Sequence, residues 1–126
     1  MALILIVEDN ENIADNLSYF IKYLAHYKTL IANSGELALS TLTKGVIPDI
    51  ILLDIILPGM DGVDFLLRMR REPMLRGIKV IIYTGTSVSK VRKALEQYNL
   101  YVEDVIQKPV RPVELIARIE EAVLNK

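Results

Sequence analysis

The chain has no cysteine. That excludes a disulfide framework, thiolate nucleophiles and thiolate metal ligands. A single histidine, His26, excludes a His-rich metal site. Net charge is scarce too: 15 Lys and Arg against 16 Asp and Glu leave a formal −1. Such a balance gives no electrostatic footprint for nucleic acid or an anionic membrane surface. No apolar run approaches the roughly 18 residues of a membrane span. The opening stretch, Met1 to Val7, is apolar but short and lacks a basic flank. It runs straight into Glu8-Asp9-Asn10-Glu11 and so reads as a strand, not a signal peptide. The expected location is the cytoplasm. Linkers, repeats and low-complexity segments are missing as well. With 126 residues and 52% hydrophobic content, one domain over residues 1–126 with a substantial core is expected.

What is present begins with an interruption. Ile50 to Leu57 reads I-I-L-L-D-I-I-L, the most apolar stretch of the chain with Asp54 inside it. The run reads as a strand buried on both faces. A lone ionised carboxylate there would cost several kcal/mol or more, so Asp54 is expected at the strand's exit. Pro58-Gly59-Met60-Asp61-Gly62 follows, and these turn formers agree with an exit.

Five strand-like segments alternate with five helix-like ones. The strands are Leu3 to Val7, Thr29 to Ala32, Ile50 to Leu53, Val80 to Tyr83 and Val105 to Gln107. Between them the apolar period becomes helical. Ile13, Leu17, Phe20, Ile21 and Leu24 form the expected buried face of the first helix. Leu37, Ala38, Thr41 and Leu42 form that of the second, opened by Ser34 as N-cap. Phe65, Leu66 and Met69 mark the third, capped by Asp61. Val88, Val91, Leu95 and Tyr98 mark the fourth. The fifth holds Leu115, Ile116, Ile119 and Val123, with Pro112 in its first turn. Strict alternation with short loops predicts an α/β fold: a parallel sheet covered by helices on both faces.

In an open sheet of this kind, ligands bind beyond the carboxyl ends of the strands. Glu8 and Asp9 follow the first strand, Asp54 the third, Thr84 and Gly85 the fourth, and Lys108-Pro109 the fifth. Asn33-Ser34 after the second reads as cap chemistry only. Taken singly, each of these has a structural reading. Glu8 and Asp9 suit a helix N-terminus, Asp54 a turn, Thr84 a cap on the fourth helix, and Lys108 a solvated surface. Complementary groups at four strand ends are harder to explain as caps. Three carboxylates repel one another, and a divalent cation with Lys108 relieves that repulsion. All-oxygen ligands suit magnesium, with manganese or calcium able to substitute. A carboxylate is ionised at neutral pH and attacks a phosphoryl group without a general base. The metal and Lys108 then hold phosphoryl oxygens, helped by the Thr84 hydroxyl and nearby amides.

At these residues the chain resembles the receiver domains of two-component response regulators, chemotaxis regulators among them. The motifs are V-E-D at Val7 to Asp9, L-L-D-I-I-L-P-G-M-D-G at Leu52 to Gly62, Y-T-G at Tyr83 to Gly85, and K-P at Lys108-Pro109. The resemblance implies a flavodoxin-like (βα)5 fold with strand order 2-1-3-4-5. It implies that Asp54 accepts phosphate from a phosphohistidine on a sensor histidine kinase or a histidine phosphotransfer protein. It implies metal ligation by Asp9, Asp54 and the Ile56 carbonyl, with Glu8 acting through water. A cis Lys108-Pro109 bond is expected. Ile13, Pro109 and Val110 are expected to meet the donor protein. The switch toward a downstream partner or output domain runs through Thr84, Gly85 and the position of Val105. Such a domain is a phosphoacceptor and not an enzyme, beyond self-catalysed transfer and slow self-dephosphorylation.

There are departures from the pattern. Val105 stands where the family usually has Tyr or Phe, and it has little volume to swing. Gly85 replaces the commoner alanine, and Glu8 a common aspartate. Val105 leaves open a second reading, a receiver-like module that binds partners without phosphorylation. A phosphoaspartate hydrolase usually carries an acid/base aspartate two residues after the nucleophile, where this chain has Ile56. A flavodoxin-like nucleotide binder needs a Ser/Thr/Gly-rich phosphate loop after the first strand, where Glu8 and Asp9 repel phosphate. The basic group Arg68, Arg70, Arg71, Arg76 and Lys79 is expected to be solvated.

Overall fold

The computed structural model of the chain describes residues 1–125. Lys126, the expected last residue of the domain, lies outside them. The elements run β1 (Leu3–Val7), α1 (Glu11–Phe20), a π-helical turn (Ile21–Ala25), β2 (Lys28–Ala32), α2 (Gly35–Thr43), β3 (Ile50–Leu53), α3 (Gly62–Arg71), β4 (Lys79–Thr84), α4 (Val88–Gln97), β5 (Asp104–Gln107) and α5 (Pro112–Leu124). All strand pairs are parallel, in the order β2-β1-β3-β4-β5. This is the flavodoxin-like (βα)5 architecture. Each predicted strand is present, and β2, β4 and β5 are a residue or two longer.

Successive strand residues point to opposite faces, and each face has its own helices. Leu5, Val7, Ile51, Leu53, Val80 and Ile82 share a buried cluster with Ala38, Phe65, Met69, Val91 and Leu95 of α2, α3 and α4. Ile4, Ile6, Ile50, Leu52, Ile81 and Ile106 share another with Ala14, Leu17, Leu115 and Ile119 of α1 and α5. Every residue of β3 is buried, which explains its unbroken apolar run.

Four helices start on side-chain caps. Asn10 accepts from the Ile13 N–H, Ser34 from Leu37, Asp61 from Asp64 and Ser87 from Lys90. The Ser34 and Asp61 caps match expectation, and Pro112 opens α5 as expected. Ser87, not Thr84, caps α4.

Parts of the predicted helix faces are corrected. In α1 and the turn after it, Leu17 and Ile21 are buried, but Ile13, Phe20 and Leu24 are exposed. Ala14 and Ser18 take their place, because small residues let the helix approach the sheet closely. The Ser18 hydroxyl also lies 2.6 Å from that of Thr29 on β2. Leu37, Val88 and Tyr98 are exposed as well, at the edges of their helices.

The basic group is corrected too. The half-buried Arg70 donates to the carbonyls of Arg76, Ile78 and Tyr101 and ties α3 to the bottom of the sheet. Lys79 donates to the carbonyls of Ala122 and Asn125 at the end of α5. Arg68, Arg71 and Arg76 are exposed.

Candidate functional site

Asp54 stands one residue beyond β3, and its N–H donates to the Val7 carbonyl at 3.1 Å. The last ladder bond thus fixes the residue at the sheet's edge. Its side chain is 11% exposed. The turn that follows folds back tightly. Gly62 N–H donates to the Ile55 carbonyl, and a Cβ on Gly62 would meet the Asp54 carbonyl oxygen at 2.8 Å. Glycine is therefore required where α3 begins, directly behind Asp54. Gly59 in the same turn has φ +71, a left-handed value suited to glycine.

The Asp54 carboxylate is held from several sides. Oδ1 accepts from the Thr84 hydroxyl at 2.7 Å and from the Ile56 N–H at 3.1 Å. Oδ2 lies 3.2 Å from Lys108 Nζ. Lys108 Nζ also donates to Glu8 Oε1 at 2.6 Å. Glu8 Oε2 accepts from the Asn10 N–H at 3.2 Å. Thr84 is wholly buried at the end of β4, and its carbonyl accepts from the Lys108 N–H at 2.8 Å. The Lys108-Pro109 peptide is cis, as expected. Lys108 is thus not a solvated amine, and the groups from four strand ends form one connected network.

Two positions outside the expected set join it. The Asn33 amide donates to the Glu8 carbonyl at 3.0 Å, so this residue does more than cap. Its position after β2, beside the first strand's exit, was the available signal. Tyr83 places its ring centroid 5.3 Å from Lys108 Nζ. The alternation along β4 sends Tyr83 and Thr84 to opposite faces, so the ring meets the lysine from the face opposite to the threonine.

Charge in the network is unevenly tolerated. Burial pushes the Glu8 carboxyl above its ordinary value, and Lys108 recovers only part of that cost. Burial alone would pull the Lys108 amine down. Its hydrogen bond to Glu8 and the charge of Asp54 more than offset this, so it stands above the ordinary lysine range.

Glu8, Asp9 and Asp54 each bring a carboxylate oxygen within 4.8 Å of the other two. Asp9 and Asp54 would hold a divalent cation, with Glu8 near enough to act through water. Asp9 is exposed and open to water. Hard oxygen donors with access to solvent fit magnesium, which retains several waters. Glu8 is already committed to Lys108 and Asn10, which suits a role at one remove from an ion.

The remaining expected residues take distinct places. Ile56 is 65% exposed and reaches Asp54 through its N–H. Gly85 is exposed, and a Cβ there would meet nothing within 4 Å. Val105 is buried in the cluster under α4. Ile13 and Val110 line a groove between α1 and the start of α5, together with Phe20, Tyr83 and Pro112. Pro109 is exposed beside it.

Comparison with known proteins identifies the family of the chain. The family model of the response regulator receiver domain matches residues 4–120. The sensory transduction protein RegX3 of Mycobacterium tuberculosis is 35% identical over 126 residues, covering 100% of this chain and 52% of that protein. The chain therefore spans about half the length of the curated relatives it matches. A putative response regulator from Chloroflexus aurantiacus superimposes with a TM-score of 0.85 at 29% identity, covering 97% of each chain. The receiver domain of a signal transduction histidine kinase from Syntrophus aciditrophicus gives 0.84 at 29% identity, covering 98% of this chain and 90% of that one.

Proposed function

The chain belongs to the response regulator receiver domains of two-component signalling, and on that premise we propose that Asp54 accepts a phosphoryl group from a phosphohistidine. The observation that carries this reading is the convergence on one carboxylate of Thr84, Lys108 and two further acids from separate strand ends. An Asp54 oxygen attacks phosphorus, the phosphorus–nitrogen bond of the donor breaks, and an acyl phosphate forms. The imidazole leaves with the electron pair and takes up a proton. Lys108 shifts from Asp54 Oδ2 to a phosphoryl oxygen, and Thr84 turns its hydroxyl from Oδ1 to another. The Ile56 N–H, already aimed at Asp54, stays as a fixed donor.

Asp9, Asp54 and the Ile56 carbonyl would hold magnesium, with Glu8 acting through water. The ion supplies charge neutralisation of phosphoryl oxygens when bound. The donor is a sensor histidine kinase or a histidine phosphotransfer protein. Ile13, Pro109 and Val110 form its docking patch. A downstream protein or output domain reads the phosphorylated state from the surface around α4 and β5. The domain acts as a phosphoacceptor, with only self-catalysed transfer and slow hydrolysis of its own.

The test is intact mass after incubation with a small phosphodonor and magnesium. The wild-type chain should gain one phosphoryl group, and Asp54→Asn should gain none while keeping its circular dichroism spectrum. Equal adduct in both proteins would place the acceptor elsewhere. No adduct in the wild type would favour a phosphorylation-independent interaction module.

A further inference from the structure

We propose that Tyr83 is a positioning residue for the Lys108 amine, an inference that rests on the phosphoacceptor reading. Lys108 Nζ has two anionic partners, Glu8 Oε1 at 2.6 Å and Asp54 Oδ2 at 3.2 Å. Its third neighbour is the Tyr83 ring, with the centroid 5.3 Å away. That distance lies within the range of cation–π attraction. β4 fixes the backbone of Tyr83, and its half-buried side chain packs against the cluster that holds Leu17 and Leu115.

The three holds differ in kind. Hydrogen bonds to carboxylates are directional and fix the amine on particular oxygens. Attraction to a ring face needs the amine to stay over the ring but uses none of its N–H bonds on a particular acceptor, so it survives a change of hydrogen-bond partner. Phosphoryl transfer requires such a change, from Asp54 Oδ2 to a phosphoryl oxygen. During it Lys108 loses its hold on Asp54 and keeps Glu8 and the ring. The ring occupies one side of the lysine, whose side chain is 20% exposed. Without the ring, water would reach the amine and weaken its pairing with developing phosphoryl charge. The chain thus places an aromatic beside the switch threonine, on the face opposite to Val105.

A double-mutant cycle tests this with a small phosphodonor, which removes any effect of protein docking. Tyr83→Phe keeps the ring and should be phosphorylated within about twofold of the wild-type rate. Tyr83→Leu should be slower by roughly three- to tenfold, the range expected for one lost cation–π contact. Tyr83→Met, run beside it, keeps a similar volume in a longer, unbranched side chain without a ring and should match Tyr83→Leu. Magnesium affinity should be unchanged in all three. In the Lys108→Ala background, Tyr83→Leu should add no further loss, because the ring acts through the amine. Equal losses from Tyr83→Phe and Tyr83→Leu would overturn the proposal. So would the same loss from Tyr83→Leu with and without Lys108, which marks a packing role. A wild-type chain that takes no phosphoryl group would overturn the phosphoacceptor reading and this proposal together. If Tyr83→Leu alone is unaffected while the wild type is labelled, only this proposal falls.

Discussion

The amine of Lys108 is shared between Glu8 and Asp54, and its protonation follows from that. Its value in the folded chain lies above the ordinary lysine value of 10.5. Below that ordinary value both folded and unfolded chains hold the proton, and the contribution to stability is complete. Above it the unfolded chain loses the proton first, so the contribution declines as pH rises through the folded value. The stability difference between wild type and Lys108→Met should therefore be flat from pH 6 to 9 and shrink only above about 10.5, as read by urea unfolding. A difference that shrinks already between pH 6 and 9 would mean that another group holds the balance. Asp9 is the least committed of the three acids: it is exposed and repelled by Glu8 and Asp54. Asp9→Asn should stabilise the metal-free domain by about 1 kcal/mol, the Coulomb term for exposed charges at this range. The same change should lower the rise in Tm that magnesium produces. If thermal melts show equal magnesium stabilisation in both proteins, Asp9 is not a ligand. These residues were legible in sequence because each follows a strand. Asn33 and Tyr83 were not, because one reads as a cap and the other as the last residue of a strand.

Among the elements, α1 shows where apolar patterning misleads. Two of its large apolar residues, Ile13 and Phe20, face outward, while Ala14 and Ser18 join Leu17 on the buried side. A pattern that weighs residues by hydrophobicity overlooks alanine and serine, although close approach demands them. The π-helical turn at Ile21–Ala25 further breaks the period that would have placed Leu24 inside. The outward residues are then free for other use, and Ile13 lines the groove beside Val110. Ile13→Lys should change stability by no more than about 0.5 kcal/mol, as for most surface substitutions. It should nevertheless slow phosphoryl transfer from a protein donor while sparing labelling by a small phosphodonor. Ala14→Leu, one residue away, should cost about 1 to 3 kcal/mol through overpacking. Urea titrations with both donor assays separate these outcomes. Equal loss of labelling by both donors in Ile13→Lys would assign the residue to the fold and not to docking. The strands, by contrast, were legible almost to the residue, since a parallel sheet covered on both faces leaves no polar alternation to misread.

At the scale of the molecule, the question is how a new bond at Asp54 reaches a distant surface. Thr84 is the connecting group: it is buried, bonded to Asp54 Oδ1, and followed by Gly85, Thr86 and Ser87 before α4 begins. On the proposed function, phosphorylation of Asp54 would place new acceptor oxygens near the Thr84 hydroxyl and draw it toward them. The family pattern puts Tyr or Phe at the β5 position expected to fill the vacated space. Here Val105 occupies that position, buried in one cluster with Val91 and Leu95 of α4. A valine holds few rotamers and cannot swing outward to report the change. Whatever space Thr84 leaves must be taken up by the backbone around it. Gly85 makes that affordable, since its side of the loop is open and its backbone is less restricted than alanine's. The load then falls on the loop and on α4, whose contact with the sheet is made by Val91 and Leu95. Amide exchange on phosphorylated and free protein should therefore change across residues 84 to 98. Thr84→Ala should still accept phosphate but show a smaller change there, because the threonine no longer pulls the loop. Protection changes confined to the surroundings of Val105, with none over residues 84 to 98, would mean that β5 carries the signal despite its small side chain.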